Sequence, residues 1–86
     1  MNVKLPKTIR LTERKLGREK ASGQVEYGRI PHITLDPRQK PEERLDTLVH
    51  ELIHIVWPEI PEEGVVKAAN RISSVIWSDG WRRIQE

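Results

Sequence analysis

The apolar residues in the middle of the chain recur at the spacing of an α-helix. One side of a helix over residues 40–57 would be apolar and the other polar, which predicts an amphipathic helix. Pro41 suits the first turn, where its missing amide hydrogen is not needed, and Pro58 stops the helix. The apolar stripe comprises Leu45, Leu48, Val49, Leu52, Ile53 and Val56.

A second amphipathic helix is predicted over residues 61–78. It starts near Pro61, and Asp79 with Gly80 ends it. Because the link between the two helices is short and bounded by prolines, we expect the helices to pack on each other or on the strands. The second apolar stripe comprises Val65, Ala69, Ile72 and Ile76, flanked by Ala68 and Val75.

The residues before the first helix are patterned like strands. Val3–Thr12 alternates loosely, and Pro6 favours an edge position for this strand. Two β-rich runs follow, Val25–Tyr27 and His32–Leu35, with a turn or bulge at 28–31 between them. The predicted fold class is therefore α+β, with a short antiparallel sheet of about three strands packed with the two helices.

A chain of 86 residues predicts one domain with a marginal core, so a bound metal would add useful stability. Its predicted parts are a basic N-terminal strand and loop (1–23), a β-hairpin (24–36), the first helix (40–57) and the second helix (61–78). Disulfides and thiolate zinc sites are excluded because the chain has no cysteine. We expect no membrane span, since no apolar run approaches about 18 residues. A cytoplasmic location is expected because the N-terminus lacks an apolar signal core.

Positive charge is concentrated near the N-terminus, where the first 20 residues hold seven basic and two acidic side chains. A patch for nucleic acid and an ordinary solvated surface both fit this imbalance. We favour the solvated surface and expect no nucleic-acid partner, since no aromatic residues are interleaved with the charges and no nucleic-acid motif is present.

The stretch TLVHELIHIVW carries the candidate chemistry, because His50 and His54 lie four positions apart with Glu51 after the first. Both imidazoles would lie on one helix face, at the edge of the apolar stripe, and could reach one Zn²⁺ ion. Glu51 lies about 100° round the helix, where it could hold a water beside the metal. Zinc lowers the pKa of such a water to about 7, and Glu51 would take its proton as the water attacks a carbonyl.

A zinc site of this kind needs a third protein ligand. Glu62 lies about 60° from Val65, on the face of the second helix that should pack, whereas Glu63 faces solvent at about 160°. We favour Glu62 as the third ligand, with Glu63 as the alternative. Glu59 and His32 are less favoured candidates.

The strand PHITLD could hold an extended substrate by main-chain pairing, as edge strands beside a metal do, or could be plain sheet structure. His32 could project towards the cleft, because it faces opposite to Ile33 and Leu35. Trp77 and Trp81 are expected to serve packing rather than substrate contacts.

The segments ITLDP and PEERLDTLVHELIHIVWPEIPEEGVVKAAN resemble the small single-domain zinc metallopeptidase-like proteins of phages and bacteria. These are minimal gluzincins, distantly similar to IrrE/ImmA-type peptidase domains, and the resemblance covers roughly residues 24–81. It implies a short sheet, an active-site helix and a glutamate-bearing helix. His50 and His54 would be the metal ligands and Glu51 the general base, with Glu62 or Glu63 as third ligand.

The chain departs from that family in lacking the longer segment between the motif helix and the third ligand. Only Tyr27 or His32 could stabilise an oxyanion. The expected function is a zinc-dependent metallopeptidase that hydrolyses peptide bonds of a peptide or protein substrate through a zinc-bound water activated by Glu51. The alternative is a catalytically weak or inactive, zinc-stabilised phage or bacterial regulatory interaction module.

Overall fold

A computed structural model of the protein describes residues 5–17 and 22–84. The α+β fold class is confirmed, since a three-stranded sheet precedes two helices. The elements in chain order are β1 (Arg10–Glu13), β2 (Gly23–Glu26), β3 (His32–Leu35), α1 (Pro41–Val56) and α2 (Glu62–Ser78).

The sheet is mixed, so the prediction of an antiparallel sheet was wrong. β2 and β3 form the expected antiparallel pair, but β1 lies on the other side of β3 and runs parallel to it. An antiparallel meander would have placed β1 beside β2. Instead Leu16, shortly after β1, and Ser22, just before β2, are both bonded to Asp36 at the end of β3, and β1 is an edge strand of the described sheet. The first part of the predicted strand, Val3 and Lys4, lies outside the described residues.

Polar contacts at the end of β3 hold the segment that directly follows β1. The carboxylate of Asp36 accepts the amide hydrogen of Leu16 (3.0 Å) and is paired with the guanidinium of Arg38 (2.6 Å). Arg38 in turn donates to the carbonyl of Leu16 (3.1 Å), whose side chain is buried. Because these groups satisfy one another, the segment after β1 can lie against the sheet at little desolvation cost.

Local signals set the helix ends. Pro41 occupies the first turn of α1, and the amide of Lys40 donates to the carboxylate of Glu43 (3.3 Å). At the C-terminal end of α2, Gly80 has a φ of 90°, a conformation that glycine adopts without strain. The observed bounds therefore lie within a residue of the predicted ranges 40–57 and 61–78.

α1 is the central element, since it packs against β2 and β3 on one side and α2 on the other. The core between the helices consists of Val49, Ile53, Val65 and Ala69. None of the described helices has the length and apolar character needed to cross a membrane.

The packing face of α2 differs from the predicted stripe. Ile72 is 40% exposed, whereas Ser73 is only 5% exposed and lies against α1, where its hydroxyl contacts Asp46. At about 100° per residue, Ser73 lies about 40° from Ala69 on the side towards Glu62, and Ile72 lies on the opposite side. The helix is therefore turned so that its Glu62 side faces α1.

Candidate metal centre

Three side chains from the two helices converge at the open end of their interface. The Nε2 atoms of His50 and His54 lie 3.0 and 2.9 Å from the same oxygen, Oε1 of Glu62. The two Nε2 atoms lie 3.2 Å apart. The i, i+4 spacing on α1 aligns the histidines, and the rotation of α2 brings the glutamate to them.

Hydrogen bonds alone do not account for this arrangement. If each Nε2 carries a hydrogen for Glu62, two donors face each other between His50 and His54. If one Nε2 carries none, its contact with the carboxylate joins two acceptors. No placement of hydrogens on the two nitrogens satisfies all three contacts, whereas one cation would be attracted to all three lone pairs.

The donor set fits zinc. Two imidazole nitrogens and one carboxylate oxygen form a ligand set known from catalytic zinc sites. Bonds of about 2.0–2.2 Å in a tetrahedron place the ligand atoms roughly 3.3 Å apart, close to the three observed separations. The Glu62 side chain is 63% exposed, so water can reach this end of the helix pair.

The other ligand candidates lie elsewhere. Among residues 5–17 and 22–84, His50, His54 and Glu62 form the only group of this kind that could hold a metal. His32 is bonded through Nε2 to the hydroxyl of Thr12 (2.9 Å). Glu63 and Glu59 are exposed and do not belong to the group.

Glu51 lies beside the group but points away from the bulk solvent. It is 9% exposed, and burial raises the pKa of its carboxyl, an effect that the neighbouring His50 and His54 oppose. Its carboxylate borders a cleft of about 160 Å³ between α1 and the start of β2. Since a water takes up about 30 Å³, the cleft can hold several waters next to Glu51.

Sequence reasoning missed two residues that line the cleft beside Glu51, Gly23 and Thr47. A Cβ atom on Gly23 would lie 3.2 Å from Oε2 of Glu51 and 2.8 Å from Cγ2 of Thr47. Thr47 itself is fixed because its hydroxyl lies 2.6 Å from Oε1 of Gln39 and 3.0 Å from the carbonyl oxygen of Glu43, two acceptors that share its one hydrogen. A glycine at the start of a strand is the signal that could have indicated this close approach.

The two oxyanion candidates have different surroundings. Tyr27 follows β2, and the pKa of its phenol is raised by partial burial and by the carboxylates of Glu51 and Glu62. Tyr27 is therefore within the electrostatic field of the two carboxylates at the candidate centre. His32 instead pairs with Thr12 on β1.

The role suggested for PHITLD is excluded by the sheet order. β3 is the central strand and is hydrogen-bonded to β1 and β2 on its two sides, so it has no free edge for a substrate. β2 is an edge strand in the described part of the sheet, and Gly23 lines the cleft beside Glu51. The sequence pattern marks strands but not their order, and the order decides which edge is open.

No family model, curated protein or solved structure matches this chain.

Proposed function

We propose that the protein is a zinc-dependent peptidase of minimal gluzincin type. The observation that carries this proposal is the convergence of His50, His54 and Glu62 next to Glu51 and its cleft. A metal-dependent hydrolase centre needs metal ligands, a base and room for water, and candidates for all three lie on the helix pair and at the start of β2.

Each residue of the candidate centre has a separate role in this proposal. His50, His54 and Glu62 would hold Zn²⁺, which when bound polarises a carbonyl and makes a water more acidic. Glu51 takes the proton from the attacking water and then delivers it to the leaving amine. Tyr27 would donate its phenolic hydrogen to the oxygen that becomes negative.

The edge of β2 supports a peptide as the substrate class. An extended peptide can add to an open sheet edge through main-chain hydrogen bonds, whatever its side chains. Pairing along β2 would bring the peptide past Gly23, where no side chain intervenes between strand and Glu51. The expected cytoplasmic location stays a prediction.

The test separates metal binding from catalysis. Purified protein is analysed for zinc and then incubated with a peptide library, beside the variants Glu51→Gln and Glu63→Gln. We expect about one zinc per chain in all three proteins. Cleavage should fall by about 10²–10⁴-fold in Glu51→Gln only, because that variant loses the base. Zinc-free native protein, or full cleavage by Glu51→Gln, would refute the proposal.

A second candidate function is a zinc-stabilised interaction module without efficient catalysis. It is favoured by one observation: the ligands lie on both helices, so an ion would tie α1 to α2 across a core of four side chains. In that case zinc would be bound and chelation would lower the melting temperature, but no peptide in the library would be cut.

A further inference from the structure

A groove of about 230 Å³ lies away from the candidate metal centre, between the first half of α1 and the end of α2. Its apolar wall comprises Pro41, Leu45, Leu48, Ile76, Trp77 and Trp81. Its rim carries three arginines, Arg44, Arg82 and Arg83.

The C-terminal turn of α2 fixes one wall of the groove. The amide of Trp81 donates to the carbonyl of Ile76 (3.3 Å), and that of Gly80 donates to Trp77 (3.0 Å). These bonds and the positive φ of Gly80 form a Schellman motif, which reverses the chain after the helix. The indole of Trp81 is held by a hydrogen bond to Asp79 (3.0 Å).

The arginine rim is fixed as well. The guanidinium of Arg82 lies 3.5 Å from the ring centre of Trp77 and donates to the carbonyls of Trp77 and Trp81. Arg44 and Arg83 are both bonded to the single carboxylate of Glu13 (3.1 and 2.9 Å). Within residues 5–17 and 22–84, no carboxylate forms an ion pair with Arg82.

The groove therefore combines an open apolar wall with an excess of positive charge. Trp81 is 67% exposed although its indole nitrogen has a partner, so a large apolar surface stays in water. Side chains already held in place lose little entropy on binding, and tryptophan and arginine are the residues that most often dominate binding energy. Both properties are those of a recognition surface.

We propose that this groove binds an acidic amphipathic segment of a protein partner. Apolar side chains of the segment would pack against Leu48, Ile76 and Trp81, and its carboxylates would pair with Arg82 and the arginines that share Glu13. The positive charge of the arginine rim favours a partner segment that carries carboxylates. A second copy in a symmetric dimer would bring the same arginine rim against itself, which is unfavourable.

The probe is a synthetic peptide of about four helical turns with leucines at helical spacing flanked by glutamates. Two matched peptides replace the glutamates by lysines or the leucines by alanines. Binding to the full chain is followed by tryptophan fluorescence, in a Trp57→Phe background to remove the third indole. Sedimentation of the protein alone reports any self-association.

Only the acidic, leucine-bearing peptide should bind, and added salt should weaken it. Trp81→Ala and Arg82→Glu should each weaken binding at least about tenfold, whereas the exposed control variants Val66→Ala and Arg71→Glu should not. Glu51→Gln should bind normally, so the result is independent of the peptidase proposal. Equal binding of the lysine peptide, no effect of the two groove variants, or self-association without peptide binding would overturn the inference.

Discussion

Replacing Gly23 by alanine tests how β2 is packed against the helix that carries Glu51. The added Cβ would lie 2.8 Å from Cγ2 of Thr47, 3.1 Å from Cδ2 of Leu35 and 3.2 Å from Oε2 of Glu51. Carbon atoms in ordinary contact lie about 3.5–4.0 Å apart, so the methyl of Thr47 must move by about 0.7 Å or more. Its hydroxyl is shared between two acceptors, Oε1 of Gln39 and the carbonyl of Glu43, and this contact resists that movement.

The expected change in the free energy of unfolding follows from two opposing effects. Overpacking at a tight contact costs about 1–3 kcal/mol. Alanine also restricts the unfolded chain more than glycine, which stabilises the fold by about 0.4–1 kcal/mol where φ is negative. The φ of Gly23 is not positive, so this gain applies. We expect a net loss of about 0.5–2 kcal/mol from Gly23→Ala, taking both effects together.

Urea unfolding at constant pH and metal content measures this loss, with Gly28→Ala as the matched control. No atom lies within 4 Å of a Cβ at Gly28, so that variant should be neutral or slightly more stable. Thr47→Ser removes the obstructing methyl but keeps the hydroxyl. In that background most of the cost of Gly23→Ala should disappear. An unchanged cost, or a Gly23→Ala protein as stable as the Gly28 control, would show that the contact does not set the packing.

Three further predictions concern other parts of the molecule. Arg38 holds the pKa of Asp36 well below its ordinary value of 3.8, so the ionised carboxylate stabilises the fold above that pH. Stability should fall as pH drops below about 4, and unfolding curves of Asp36→Asn should show a smaller fall than those of the native protein. Gly80→Ala should destabilise the end of α2 by about 1–2 kcal/mol, because φ is 90° there, and should lower the melting temperature. Isothermal titration with zinc should show at least about tenfold weaker binding for Glu62→Ala, with no change for Glu63→Ala; equal affinities would exclude Glu62 as a ligand.

The features that sequence alone could predict are those set by local spacing. The stripe on α1 and the terminal prolines define that helix without reference to the rest of the chain. The i, i+4 relation of His50 and His54 is equally local. The position of Glu62 relative to Val65 also follows from helix geometry, which is why it could be ranked above Glu63.

The features that could not be predicted depend on contacts between distant segments. Whether β1 joins β2 or β3 depends on contacts between distant segments, such as that of Leu16 with Asp36, and periodicity carries no information about them. The close approach of Gly23 to Thr47 exists only once strand and helix meet. Ser73, and not Ile72, faces α1 because of the rotation of α2 about its own axis. The apolar pattern of α2 does not fix that rotation.

The candidate metal centre and the core occupy the same interface. His50 and His54 directly follow the buried residues Val49 and Ile53, and Glu62 lies one turn before Val65 on the partner helix. The three ligand atoms can converge only if these helices are packed, and an ion held by them would in turn keep the helices packed. Metal affinity and folding are then linked equilibria. With so small a core, a zinc ion at this position would serve stability and catalysis through the same contacts, so the two proposed functions differ only in whether Glu51 and the edge of β2 are used.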